Sequence, residues 1–236
     1  MRTRVRDGVF AAGDSMIGVE QWCLLVLLAG LVAQDTTAGP QIRFCEPIVA
    51  GPIAGWIVGD VSIGVLFGIA AQLIWSGTMP AGMAAFFDAN VGIVVAVAIG
   101  TLVGGSAAAF LWMVPVGYLG SALTVVERRV NGRIVDSVSS DDSPRVIGVR
   151  HMSGWVVSGA RGALTALLGL SIGVFVIPSI TTVIDATVSP IVLWAAIFGT
   201  GGGIALGVTW RYGRGRAAVV GALATAAALL VGRYLS

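Results

Sequence analysis

Asp60, Gln72 and Asp88 stand out in the stretch "GDVSIGVLFGIAAQLIWSGTMPAGMAAFFDAN", which runs from Gly59 to Asn90 and is otherwise largely apolar. A carboxylate at the centre of a membrane helix costs roughly 2.5–3.5 kcal/mol on insertion scales, so each needs water, a partner or a ligand. Sugar hydroxyls both donate and accept hydrogen bonds, and Asp and Gln are suited to hold them. Trp75 lies in the same stretch and could stack on a pyranose face. Each residue also has a plainer reading. Asp60 follows Gly59 and could cap the next helix, and Asp88 in "FDAN" could open the span starting near Val91. Gln72 could make an interhelical hydrogen bond, worth about 0.6 kcal/mol on average.

Other chemistry is sparse. Ser-His-Asp spacing, zinc motifs and a Walker A sequence are absent, so no catalytic set, metal or cofactor is expected. The single histidine, His151, reads as interfacial. Arg161, ten residues on, reads as snorkelling or as pairing with a buried acid such as Asp185. The pair is thus expected at a membrane-facing ion pair or interface. Cys23 and Cys45 lack metal-ligand spacing and read as inert packing residues. "GTGGG" at Gly199–Gly203 lacks the Lys and the strand-to-helix context of a phosphate loop, and reads as helix packing or a break.

The elements that must position these residues are membrane helices. Of the 236 residues, 56% are hydrophobic and 11% charged, and the mean hydropathy is +0.93. A soluble domain carries about a quarter charged residues. Apolar runs such as "VGIVVAVAIGTLVGG" do not alternate, which argues against a transmembrane barrel and for helices. The expected fold is all-α and polytopic, with seven to nine transmembrane or re-entrant segments. "EPIVAGPIAGWIVGD" and "VSIGVLFGIAAQLIWSG" are both short and meet at an Asp, the pattern of re-entrant or broken helices. Pro115 marks a kink or break.

All 14 basic residues are Arg, and eleven of them cluster at residues 2–6, 128–150 and 211–216. The positive-inside rule assigns the three clusters to the cytoplasm, and a nucleic-acid role is not expected. The organisation that follows is a cytoplasmic extension (1–16, with Met16 a second candidate start), a first membrane half (17–126), a cytoplasmic polar loop (127–152) and a second membrane half (153–236).

From Glu46 to Asn90 the sequence resembles the IIC membrane component of the mannose/fructose/sorbose family of the bacterial phosphotransferase system. Pro47, Gly51, Gly55, Gly59, Asp60, Gly64, Gly68, Gly77, Gly82 and Asp88 fall in register with that family's pattern, and "VPVGYLGSALT" resembles a later element of it. His151 and Arg161 match a His and an Arg at the same spacing. The chain departs from the pattern at Glu46, where the family has Arg, at Gln72, where it has Glu, and at Phe87, where it has Pro.

The resemblance implies an inner-membrane subunit that carries a hexose-type sugar. It implies a IID membrane partner and IIA and IIB phosphocarriers, with the phosphoryl group passing through those partners and not through this chain. Asp60, Gln72, Asp88 and Trp75 would face the sugar. Pro47, Gly59, Gly64, Gly77, Pro80, Gly82 and Pro115 would shape the backbone. A homo-oligomer is left open. The alternative is a scaffold or sensor that keeps the fold without transporting.

Overall fold

The computed structural model describes residues 17–75 and 87–212. Among these residues there are eight helices and no strands: α1 (Val19–Thr37), α2 (Pro47–Val58), α3 (Val61–Trp75), α4 (Ala89–Leu102), α5 (Ala107–Leu111), α6 (Met113–Asp136), α7 (Pro144–Thr187) and α8 (Pro190–Tyr212). Helix α1, the α5–α6 stretch and most of α7 are long and apolar enough to cross a bilayer.

Helices α2 and α3, at 12 and 15 residues, are roughly 18 and 22 Å long, short of a 30 Å hydrocarbon core. They form a tight re-entrant hairpin. Gly51 and Gly55 on α2 face Gly64 and Gly68 on α3. A Cβ on Gly51 would lie 2.6 Å from the Gly64 carbonyl oxygen, and one on Gly64 would lie 2.5 Å from that of Gly51. Only bare backbone permits this approach. Gly59 turns the tip at φ +87°, a conformation in which glycine has no steric penalty. Asp60 then caps α3, its Oδ1 accepting from the Ile63 N–H at 3.0 Å.

Contacts along the helices fix their directions. Gly30 and Gln34 of α1 meet Gly159 and Trp155 of α7, and Trp155 Nε1 donates to the Ala38 carbonyl. Helices α1 and α7 are therefore antiparallel. Helix α6 joins α7 through a short connection, so α1 and α6 run parallel. Gln21, in the first turn of α1, donates to the Ile57 carbonyl at 3.1 Å, which sets the hairpin tip at the start of α1 and its mouth at the opposite end. Trp194 and Gly201 of α8 meet Phe67 and Ile74 of α3 in the same order, so α8 returns to the mouth end. Gly201 packs against α3 inside a continuous helix, which makes "GTGGG" a packing element.

One expectation changes. Of the polar segment 127–152, only 137–143 lie outside helices. Nothing in Glu127–Asp136 interrupts α6, and Pro144, with its fixed φ, starts α7 after Ser143. At 44 residues α7 is about 66 Å long, so the Arg-rich part of the α6–α7 hairpin extends beyond the hydrocarbon core as helix. Helix α1 begins at the end opposite the 137–143 connection, and the expected cytoplasmic extension with Arg2–Arg6 lies outside the described residues. Helix α7 leaves the mouth end and α8 comes back to it. Pro115 sits in the first turn of α6, just past the α5–α6 break at Trp112.

Helix α4 is the centre of the bundle. Every residue from Val91 to Gly100 is buried. A helix apolar all round belongs in such a position. At 14 residues it ends inside the protein, so its N-terminus must be satisfied internally.

Candidate functional site

The end of α4 is satisfied by Asp88. Its Oδ1 accepts from the Val91 N–H at 3.1 Å, and its Oδ2 accepts from Arg161 Nη1 of α7. A carboxylate is favoured at this helix end by the macrodipole. Arg161 Nε also meets Glu127 Oε2 of α6 at 2.7 Å, as a charge contact off the hydrogen-bond line. All three side chains are only 3–4% exposed. Glu127 Oε1 accepts from Thr37, whose hydroxyl is 2.6 Å from that of Ser158. Gly120 makes the seat, since a Cβ there would lie 2.9 Å from that of Asp88. With two carboxylates and one guanidinium, the triad has a formal charge of −1.

A second polar cluster lies at the hairpin mouth. Gln72 Nε2 donates to Glu46 Oε2 at 2.7 Å, and Gln72 Oε1 accepts from the Ile48 N–H at 3.3 Å. The two contacts fix the orientation of the amide. Both residues are partly exposed. Trp75 lies one turn on from Gln72 along α3 and stacks on Phe87 at 4.7 Å, and Phe87 meets Tyr118 edge-on at 5.5 Å. Gly117 leaves room for the Phe87 ring.

Between the clusters, the 38–46 connector carries Gln41 and Arg43 at φ +54° and +68°, unusual for non-glycine residues. It is held by Asp35, which accepts from the Ile42 and Cys45 N–H groups at 2.8 and 3.0 Å. Burial is the main cause that pushes the Cys45 thiol up to about 11. Asn90 Nδ2 donates to Thr36, tying α4 to α1 beside this connector.

The structure thus brings Gln72 and Trp75 together at the mouth and sets Asp88 deeper, at the end of α4. Asp60 lies at the tip, about 18 Å from Gln72 along α3. Pro47 starts α2, while Gly77, Pro80 and Gly82 lie outside the described residues. Arg161 neither snorkels nor faces the membrane: it is buried between Asp88 and Glu127. His151 is exposed on α7 and makes no ion pair with it.

Glu127 and Asp35 were not among the sequence candidates. Glu127 hides beside Arg128 and Arg129. Its signal is its place on the stripe Gly117, Gly120, Thr124, Glu127, whose three- and four-residue spacing marks the packed face of α6.

The bundle, its re-entrant hairpin and its apolar spans define a polytopic helical membrane protein. Residues 19–208 match the family described as the PTS system sorbose-specific IIC component, and the chain belongs to that family. A stretch of 128 residues is 30% identical to the PTS system sorbose-specific EIIC component of Klebsiella pneumoniae, covering 52% of this chain and 48% of that protein. The match therefore spans about half the length of that curated relative. Two solved structures share the fold. One, described as a membrane protein, superposes with a TM-score of 0.65 at 18% identity over 92% of this chain and 96% of its own. The other is a chain of the mannose transporter ManYZ in complex with microcin E492, with a TM-score of 0.60 at 20% identity over 84% and 79%.

Proposed function

We propose that this chain is the membrane-translocating IIC subunit of a mannose-family sugar phosphotransferase system in the bacterial inner membrane. It binds a hexose-type sugar and carries it to partner IIA and IIB phosphocarriers, together with a IID membrane subunit. The observation that supports this most is the re-entrant hairpin, whose mouth presents an oriented amide and an aromatic ring at the Arg-rich end of the bundle. By the positive-inside rule that end faces the cytoplasm, where phosphocarriers act. Gln72 and Trp75 take the sugar-facing role. Asp88 holds the end of α4 behind them, and Asp60 holds the hairpin tip.

The test is uptake of labelled mannose, fructose and sorbose by cells that lack their own hexose phosphotransferase and express this chain with its matching partner subunits. Uptake of one sugar that falls at least ten-fold in Gln72→Leu supports the reading. No uptake of any of them, with partner assembly intact, favours the scaffold alternative.

A further inference from the structure

We infer that Glu46 is a charge filter at the hairpin mouth, a carboxylate held by Gln72 that admits a neutral sugar and disfavours its phosphate ester. The inference rests on the sugar-phosphotransferase reading and adds a specificity-determining residue to it.

Glu46 sits at the N-cap of α2 yet makes no side-chain cap to its own helix. Its carboxylate instead reaches across the mouth to Gln72, 2.7 Å away. Its second oxygen has no partner among the described residues, and the side chain is partly exposed. The charge is therefore fixed in position but open to solutes. Gln72 and Trp75 lie on one face of α3, so a sugar against that face would bring a hydroxyl to the amide and the carboxylate together.

Asp35 and Arg43 are the charged residues tied to the same connector. Asp35 is spent on the Ile42 and Cys45 N–H groups. Arg43 is exposed and approaches Glu46 through its backbone carbonyl, which accepts the Glu46 N–H at 3.2 Å. The triad behind has a formal charge of −1.

Phosphorylation changes the solute's sign. A sugar hydroxyl oxygen gains the phosphoryl group as the bond between phosphorus and the phosphorylated carrier breaks, and the hydroxyl proton leaves to solvent. A phosphate monoester carries about −1.5 to −2 charge at pH 7. Within contact distance of a fixed carboxylate, even in water, repulsion of this size weakens binding roughly ten-fold. Glu46 would thus help expel the product on the side where it forms.

The experiment uses the full chain assembled with its partner subunits in nanodiscs. Displacement of the labelled hexose that the system takes best is measured with unlabelled hexose and with its 6-phosphate ester. In Glu46→Gln the ratio of the two affinities is expected to shift roughly ten-fold toward the ester, and the shift should shrink as salt is raised. Glu46→Asp, which keeps the charge, should hold the ratio near that of the natural chain, a result that packing alone would not give. An unchanged ratio in Glu46→Gln overturns the inference and leaves the transport reading standing. Failure of the assembled natural chain to bind any hexose overturns the transport reading and the inference with it.

Discussion

Two polar clusters lie toward the same end of this bundle, and burial separates them. The Asp88–Arg161–Glu127 triad is almost wholly enclosed by α4, α6 and α7, whereas the Glu46–Gln72 pair is partly open at the hairpin mouth. In the enclosed cluster each charge is held by its neighbours, so the arrangement can hardly yield to a ligand without large loss. In the open cluster a neutral amide orients a single carboxylate, and a solute hydroxyl can exchange for water there at little cost. Similar residue types are therefore sealed into the packing in one place and left open to solutes in the other.

The sharpest way to break this contrast is to remove the cation between the buried acids. Arg161→Met leaves two uncompensated carboxylates and should destabilise the chain by about 3–5 kcal/mol. The expected result is a large drop in melting temperature in detergent, or loss of folded protein. The triple change Asp88→Asn, Glu127→Gln and Arg161→Met removes all three charges and should recover much of that loss. If the single and triple variants melt alike, the triad is not an electrostatic unit.

The hairpin itself is next. Gly64→Ala drives a methyl into the Gly51 carbonyl 2.5 Å away, and overpacking of this kind costs about 1–3 kcal/mol. Thermal melting should register it. The loss should exceed that of Gly199→Ala in α8, where a Cβ meets nothing within 4 Å.

How far the sequence could be read follows the same division. The helical bundle, the membrane class and the re-entrant hairpin were legible, because apolar run length and the glycine register are local signals. The family was legible for the same reason. The partners of Arg161 were not. Asp88 lies 73 residues away, and only the packing of α4 against α7 brings them together. Asp185 seemed the nearer choice in sequence, but Asp88 and Glu127 are the acids that Arg161 meets. The Glu46–Gln72 contact was also hidden. Two departures from the family pattern, 26 residues apart, become one contact once the hairpin folds. Asp60 shows the opposite case, since a plain N-cap was one of its readings from the start and is what the backbone uses it for.

Asp60 and Gln72 then offer a finer comparison within one helix. Asp60→Ala frees the Ile63 N–H and should cost about 1 kcal/mol. Gln72→Leu loses two hydrogen bonds and should cost about 1–2 kcal/mol. Their melting temperatures should therefore differ little. Sugar uptake should separate them, with the larger fall in Gln72→Leu. Equal uptake losses at equal stability would place recognition along the whole hairpin instead of at its mouth.

The smallest effect concerns Cys45, which sits in the connector between the two clusters. Burial pushes its thiol up to about 11, and the Asp35 carboxylate beside it acts in the same direction. The thiolate is the reactive form, so alkylation by iodoacetamide should be slow at pH 7. Its rate should rise about ten-fold per pH unit and level off near pH 11. Asp35→Asn removes the neighbouring charge, so the profile should move to lower pH while burial still holds it above that of a free cysteine. A plateau already at pH 8–9 in the natural chain would mean that the connector opens readily to solvent, and the mouth would then be a looser site than its hydrogen bonds imply.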